Sequence, residues 1–318
     1  MLRTVNPPGF IPYEGSNPSP RTRKVLLRKE NLEKIVLFYN VLGVPAFISD
    51  NFPSLEKKKF SKAGNFVFHK DFQDVLKRVE NIDKVLNKKI AIVKKYLPIL
   101  RIIPFVKGFF LSGSFTLSFP KKESDIDIFT VSKTGKIWSA RFFSHLFLRF
   151  FGISRLNSSK TFENKFCLNH FVTEKSLKCT VENEYQAILQ SHFVQISGEK
   201  ELKEMILKEN KDWIEKFFPE IFEYIEKNER FQNLEKMFSR NLDSFTKKKI
   251  SLEKELKNFF ETLFFWAEPI LKFFQVIKIK KNKNFDKRFI KISDKELKFH
   301  PGSKEKFYLE KYNKAVKL

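Results

Sequence analysis

Two short apolar runs on either side of a polar stretch constrain this chain more than any other feature. Val106 to Ser112 is the first, and it ends in Ser112-Gly113-Ser114. Ile126 to Val131 is the second, preceded by Ser124-Asp125 and carrying Asp127. Runs of this length, rich in β-branched and aromatic residues and bounded by Gly and Ser, predict strands. Residues two apart in a strand share one face, so Asp125 and Asp127 are expected to project together, about 7 Å apart. Ile126 and Ile128 then enter the core on the other side.

Two carboxylates on one face repel each other. A divalent ion between them removes that cost, and hard oxygen ligands suit Mg²⁺ or Mn²⁺, which are held by one or two carboxylates plus substrate phosphates. Gly113 lets backbone approach a phosphate closely, and Ser114 adds a hydroxyl and an N–H. A helix starting there would aim its first N–H groups at the same anion. Together these parts are expected to hold a nucleoside triphosphate (ATP or another NTP) and its metal.

Around this pair the chain falls into segments. Residues 1–24 are rich in Pro, Ser and Arg and read as a flexible arm. Residues 25–99 read as a helical N-terminal domain. Leu32, Ile35, Val36 and Tyr39 keep helical spacing, as do Phe72, Val75, Leu76 and Val79, with a turn near Asp50–Pro53 and an end near Pro98. Residues 100–198 hold the two strands, an amphipathic helix between Lys136 and Gly152, and a third strand from Phe166 to Thr173. This is an α/β (α+β) core with a mixed sheet. Residues 199–318 read as a helical C-terminal region, with a basic connector at Lys278–Lys283 and a turn at Phe299-His300-Pro301 before a last helix.

Gly113-Ser114 at the end of one strand, a spacer of ten residues and Asp125-Ile126-Asp127 on the next resemble the signature of the polymerase-beta-type nucleotidyltransferase superfamily. A narrower likeness, to bacterial nucleotidyltransferase-domain proteins, rests on four further places. They are Gly135-Lys136-Ile137-Trp138 with Arg141, Cys167-Leu168-Asn169, Asn210-Lys211-Asp212-Trp213-Ile214, and Phe299-His300-Pro301. The resemblance covers about residues 100–318. It implies metal-dependent transfer of a nucleoside monophosphate to an acceptor hydroxyl, on RNA or protein among others, with pyrophosphate released. Asp125 and Asp127 would be the catalytic metal ligands, and Gly113 and Ser114 would hold the phosphates. Active members usually carry a third carboxylate on a later strand. Here Asn169 or His170 takes that place, and Glu174 is the nearest candidate for a third metal ligand. An inactive nucleotide- or RNA-binding module therefore stands as an alternative. So does a nucleotidyltransferase-type antitoxin partner of a small helical protein.

Other residues carry two readings. Arg141 is a candidate for the triphosphate or a solvated charge, and Lys133 and Lys136 are similar. Trp138 and Trp213 read as core rather than as stacking platforms. The five histidines show no metal-ligand spacing, and His145 reads as structural. Cys167 reads as a buried inert thiol.

The formal net charge is +24. It divides as +10, +6 and +8 over residues 1–100, 101–200 and 201–318, so no single segment holds a basic patch. Global composition accounts for this, with a basic surface for RNA, DNA or nucleotide as the other reading. Two cysteines exclude a disulfide scaffold and fit reduced thiols in a cytoplasmic protein. Phe259 to Val276 is the most apolar stretch, but Glu261, Glu268, Pro269 and Lys272 interrupt it. It reads as a buried helix rather than a bilayer span, with a helix lying on a membrane surface as the lesser alternative.

Overall fold

A computed structural model describes residues 27–49, 52–155, 161–243, 247–281, 290–299 and 305–317. The expected arm at 1–24 and the turn at His300-Pro301 lie outside them. Helix α1 (Lys29–Val41) buries Leu32, Ile35, Val36 and Tyr39 along one face, as their spacing dictates. Strands β1 (Ala46–Phe47), β2 (Phe60–Ala63) and β3 (Phe66–His69) follow and pair antiparallel in the order β1-β3-β2. A kinked 3₁₀ segment, Lys70–Arg78, leads to helix α2 (Ile82–Ile102), which runs through Pro98.

The central sheet then forms. Strand β4 (Val106–Leu111) and strand β5 (Ile126–Ser132) pair antiparallel. Helix α3 (Ile137–Phe150) crosses over to strand β6 (Phe166–Thr173), which lies parallel to β5. Helix α4 (Glu184–Ser191) leads to strand β7 (Val194–Gly198), which pairs with the other edge of β4. Helices α5 (Leu202–Phe217), α6 (Ile221–Lys227), α7 (Glu229–Asp243), α8 (Lys247–Leu263) and α9 (Glu268–Lys280) come next. Strands β8 (Ile290–Ile292) and β9 (Glu296–Phe299) close the sheet, and helix α10 (Glu305–Ala315) packs on α1 and α4. The six-stranded order is β7-β4-β5-β6-β9-β8, a mixed sheet in an α+β fold.

Alternation along the strands gives the sheet two apolar faces. Phe109, Leu111, Ile128 and Phe171 belong to the large core, which extends from Leu27 in the N-terminal segment to Tyr312 in α10. Phe110, Phe129, Val131 and Phe193 form a smaller cluster on the other face with Leu202 and Ile206 of α5. The edge contact between β7 and β4 is very close. Gly198 sits at φ +107°, and a Cβ on it would come within 2.5 Å of the Gly108 Cα.

Three expectations need correction. The N-terminal region is not wholly helical, because Phe60–Ala63 and Phe66–His69 form an antiparallel hairpin. The C-terminal region is not wholly helical either, since β8 and β9 join the central sheet beside β6. Phe259 to Val276 is not one buried helix. It is α8, a 3₁₀ turn at Phe265–Ala267, and α9, and Phe259, Phe265, Trp266, Phe273 and Phe274 are each at least 60% exposed. No helix of the described residues is long and apolar enough to cross a membrane.

Candidate functional site

Strand β5 starts at Ile126, so Asp127 points into a pocket on the sheet face of the smaller cluster, and Asp125 stands at the strand's mouth. The segment before it is anchored from below. The buried Lys89 of α2 donates to the Ser124 carbonyl at 2.6 Å and to Asn164 Oδ1 at 3.2 Å. Burial lowers the Lys89 pKa, partly offset by the negative field of Asp125 and Glu163.

Across the parallel pair, Asp127 is in register with Cys167. Ligand atoms of Asp125, Asp127 and Cys167 all lie within 4.8 Å of one another. Asn169 Nδ2 donates to Asp127 Oδ1 at 3.4 Å. The guanidinium of Arg155 is bonded to Asp125 and also lies 3.6 Å from the Cys167 sulfur. Burial and the charge of Asp125 push Asp127 up to about 7, with Arg155 and Asn169 pulling the other way. Burial, together with both aspartates, also raises the Cys167 thiol, so it stays neutral.

Gly113 opens a single 3₁₀ turn directly after β4, with Ser112 extended before it. It takes φ +71°, and a Cβ there would lie 2.8 Å from Asp127 Oδ2. Only glycine meets both conditions without displacing the carboxylate. Gly113→Ala is expected to cost about 2 kcal/mol by adding left-handed strain to a clash. It should also move Asp127 out of place. Thermal melting and metal titration of the variant check both effects.

The rest of the pocket wall comes from distant parts of the chain. Tyr185, Gln186 and Gln190 of α4, His170 and Asn169 of β6, and Lys298 of β9 line it with Ser112 and Glu305. The Tyr185 ring stacks on Tyr308 at 5.8 Å. His170 is committed elsewhere, 3.0 Å from Glu296 Oε1, and burial lowers its pKa.

The structure thus brings Gly113, Asp125 and Asp127 together, with Ser114 in the turn beside them. Two other sequence candidates lie elsewhere. Glu174 follows the far end of β6, where it pairs with Lys107 at 3.2 Å and accepts from the Thr134 N–H. It is not a third ligand to this cluster. Arg141 is buried under α9, bonded to Gln275 at 2.6 Å and stacked 4.5 Å over Phe299. Phe299 neighbours the pocket residue Lys298, and strand alternation turns it to the opposite sheet face, so Arg141 does not reach the pocket. Cys167, Arg155, Lys89 and Lys298 escaped the sequence reading as site residues. Cys167 alone left a signal, as part of the Cys167-Leu168-Asn169 likeness on the third strand. No protein-family model, curated protein or solved structure matches this chain.

Proposed function

We propose that the protein is a metal-dependent nucleotidyltransferase, moving a nucleoside monophosphate from an NTP to an acceptor hydroxyl with release of pyrophosphate. The observation that carries this reading is the closeness of Gly113 to Asp127 beside a second carboxylate, Asp125. A backbone turn with no side chain in the way and a pair of candidate metal ligands then stand side by side at the end of β4 and the start of β5.

The donor set fits a hard divalent cation. Two carboxylates lie within 4.8 Å of each other, with Asp127 held as a neutral acid until about pH 7 and Asp125 paired with Arg155, which a bound cation would have to displace or share. Asp125 and Asp127 would hold Mg²⁺ or Mn²⁺, and the neutral Cys167 thiol is a poor ligand for Mg²⁺. When bound, the metal polarises the phosphate oxygens and makes the acceptor hydroxyl easier to deprotonate. Gly113 and Ser114 orient the phosphates. Lys298 stands in the same pocket as a cation for the departing pyrophosphate. Tyr185, stacked on Tyr308, offers a flat wall to the base.

Two observations favour the second reading, a binding module without catalysis. Arg155 already neutralises Asp125, and the third side chain of the cluster, Cys167 in register with Asp127, is a neutral thiol rather than a carboxylate. One experiment separates the readings. The protein is incubated with each labelled NTP, Mg²⁺ or Mn²⁺, and a cell lysate, and pyrophosphate and the label's destination are measured. Release of pyrophosphate with label on RNA or protein supports transfer. Nucleotide binding without release selects the module.

A further inference from the structure

Helices α8 and α9 are amphipathic with their faces reversed. The side chains they turn toward the body are polar. Glu253 lies 3.8 Å from Arg101, and Lys257 donates to the Val106 carbonyl. Glu261 accepts the Phe105 N–H at 2.8 Å. Glu268 accepts the N–H groups of Trp138 and Ser139 at 3.0 and 2.8 Å, and Gln275 donates to the Trp138 carbonyl at 2.9 Å. The side chains turned outward include a long apolar series, flanked on α8 by Lys254, Glu255, Asn258 and Thr262. From Leu252 they recur at alternating steps of four and three through Phe259, Trp266 and Phe273 to Ile277. Every member of that series is between 36% and 63% exposed. Phe150, 84% exposed, lies one turn beyond Phe147, whose ring packs on Phe260 at 5.7 Å. An exposed apolar face of this extent marks an interaction surface.

Charge identifies what covers it. Between Leu263 and Lys281 the only acidic residue is Glu268, and it is bonded inward. The outward residues there are apolar or basic, and Lys278, Lys280 and Lys281 close the end of α9. Leucines and isoleucines beside exposed aromatics do not suit a hydrated phosphate backbone. A second copy would bring together two chains of net charge +24. Trp and Phe on one face with lysines at its border match the interface of an anionic bilayer.

We infer that the outer face of α8 and α9, with Phe150, docks the protein on an anionic lipid surface. The helices lie flat, their aromatics at the headgroup–acyl boundary and their lysines among acidic headgroups.

The test uses the full chain with vesicles of phosphatidylcholine, with and without 30% phosphatidylserine. Co-sedimentation should favour the anionic vesicles by more than tenfold, and the preference should shrink with salt, at about fivefold per lysine engaged. Trp138 and Trp213 are 1% and 3% exposed, against 63% for Trp266. A blue shift of tryptophan emission on binding is therefore assigned to Trp266 and should vanish in Trp266→Phe. The triple variant Phe259→Ser, Phe273→Ser and Phe274→Ser changes exposed side chains only. It should keep the wild-type melting temperature and lose at least tenfold in vesicle affinity. Equal binding to both vesicles, or none to either, overturns the proposal. So does a concentration-dependent dimer that the triple variant abolishes, which would assign the face to a second copy. Stoichiometric binding of an acidic helical protein in place of vesicles overturns it as well.

Discussion

Replacing Asp125 and Asp127 together by Asn is expected to abolish pyrophosphate release while the protein remains folded. Asn keeps the shape of Asp and still accepts hydrogen bonds, so packing around Cys167 and Asn169 changes little. The first shell of the divalent ion loses two negative charges, and metal affinity should fall by more than a hundredfold. The stability of the metal-free protein should move in the opposite direction. The carboxyl of Asp127 is raised in the folded state to about 7, against an ordinary value near 4. A raised folded pKa means that the native state binds more protons than the unfolded chain between those values. The stabilisation is complete below about pH 4 and is lost as the pH rises through about 7. Removing the group therefore helps most above pH 7. Three pK units correspond to about 4 kcal/mol, and water reaching the half-buried Asp127, together with loss of the Arg155–Asp125 ion pair in the variant, trims the net gain to about 1 kcal/mol. Melting curves of both proteins at pH 5 and pH 8 check the sign, since the variant should gain at pH 8 and not at pH 5. Mg²⁺ with nucleotide should then raise the wild-type melting temperature and leave the variant unmoved. Outright unfolding of the variant would make the pair structural. A wild type that shifts but releases no pyrophosphate would select the binding module.

Gly198→Ala is expected to produce the largest loss of stability from a single methyl group. At φ +107° an alanine is strained by about 1 kcal/mol or more. Its Cβ would also stand 2.5 Å from the Gly108 Cα and closer still to the Lys107 carbonyl oxygen. Those atoms are backbone, so no rotamer change relieves the contact, and β7 must part from β4. Overpacking of this kind costs about 1–3 kcal/mol, giving about 2–4 in all and a melting temperature lower by about 3–6 °C. Gly135→Ala is the control. Its φ is +72°, but open space surrounds the added methyl, so only the conformational cost of about 1 kcal/mol remains. Equal melting temperatures for the two variants would mean that the β7–β4 contact yields.

The strands that carry the site were legible because their signals are local. Val106–Leu111, Ile126–Ser132 and Phe166–Thr173 are apolar runs bounded by polar or turn residues, and they occupy the expected places. The N-terminal hairpin was missed because its strands are only four residues each, with Gly64-Asn65 as the turn signal between them. Strand β9 was missed because Glu296-Leu297-Lys298-Phe299 is short, and its end was read only as the start of the Phe299-His300-Pro301 turn. Its pairing comes from β6, far away in sequence. The misreading of Phe259–Val276 has a different cause. Apolar content was equated with burial, whereas Glu253, Lys257, Glu261 and Glu268 had already found partners on the body and left the apolar face outside. Within the site, the aspartates and Gly113 follow from period-two alternation and backbone freedom. Arg155, Lys89 and Lys298 converge only through tertiary packing, and no spacing rule announces them.

The placement of β9 between β6 and β8 also bears on how the molecule is made. Synthesis delivers the chain N-terminus first, so β4, β5, β6 and β7 can assemble while β6 is still an open edge. That edge offers Phe171 and Val172 along an unpaired backbone, a template for mispairing with a neighbouring nascent chain. The pocket wall at Lys298 and Glu305 arrives only with the last segments, together with the closure of α10 on α1. Such long-range closure is slow. The carboxylate pair can thus be in place before Lys298 and Glu305 complete the wall that encloses a ligand.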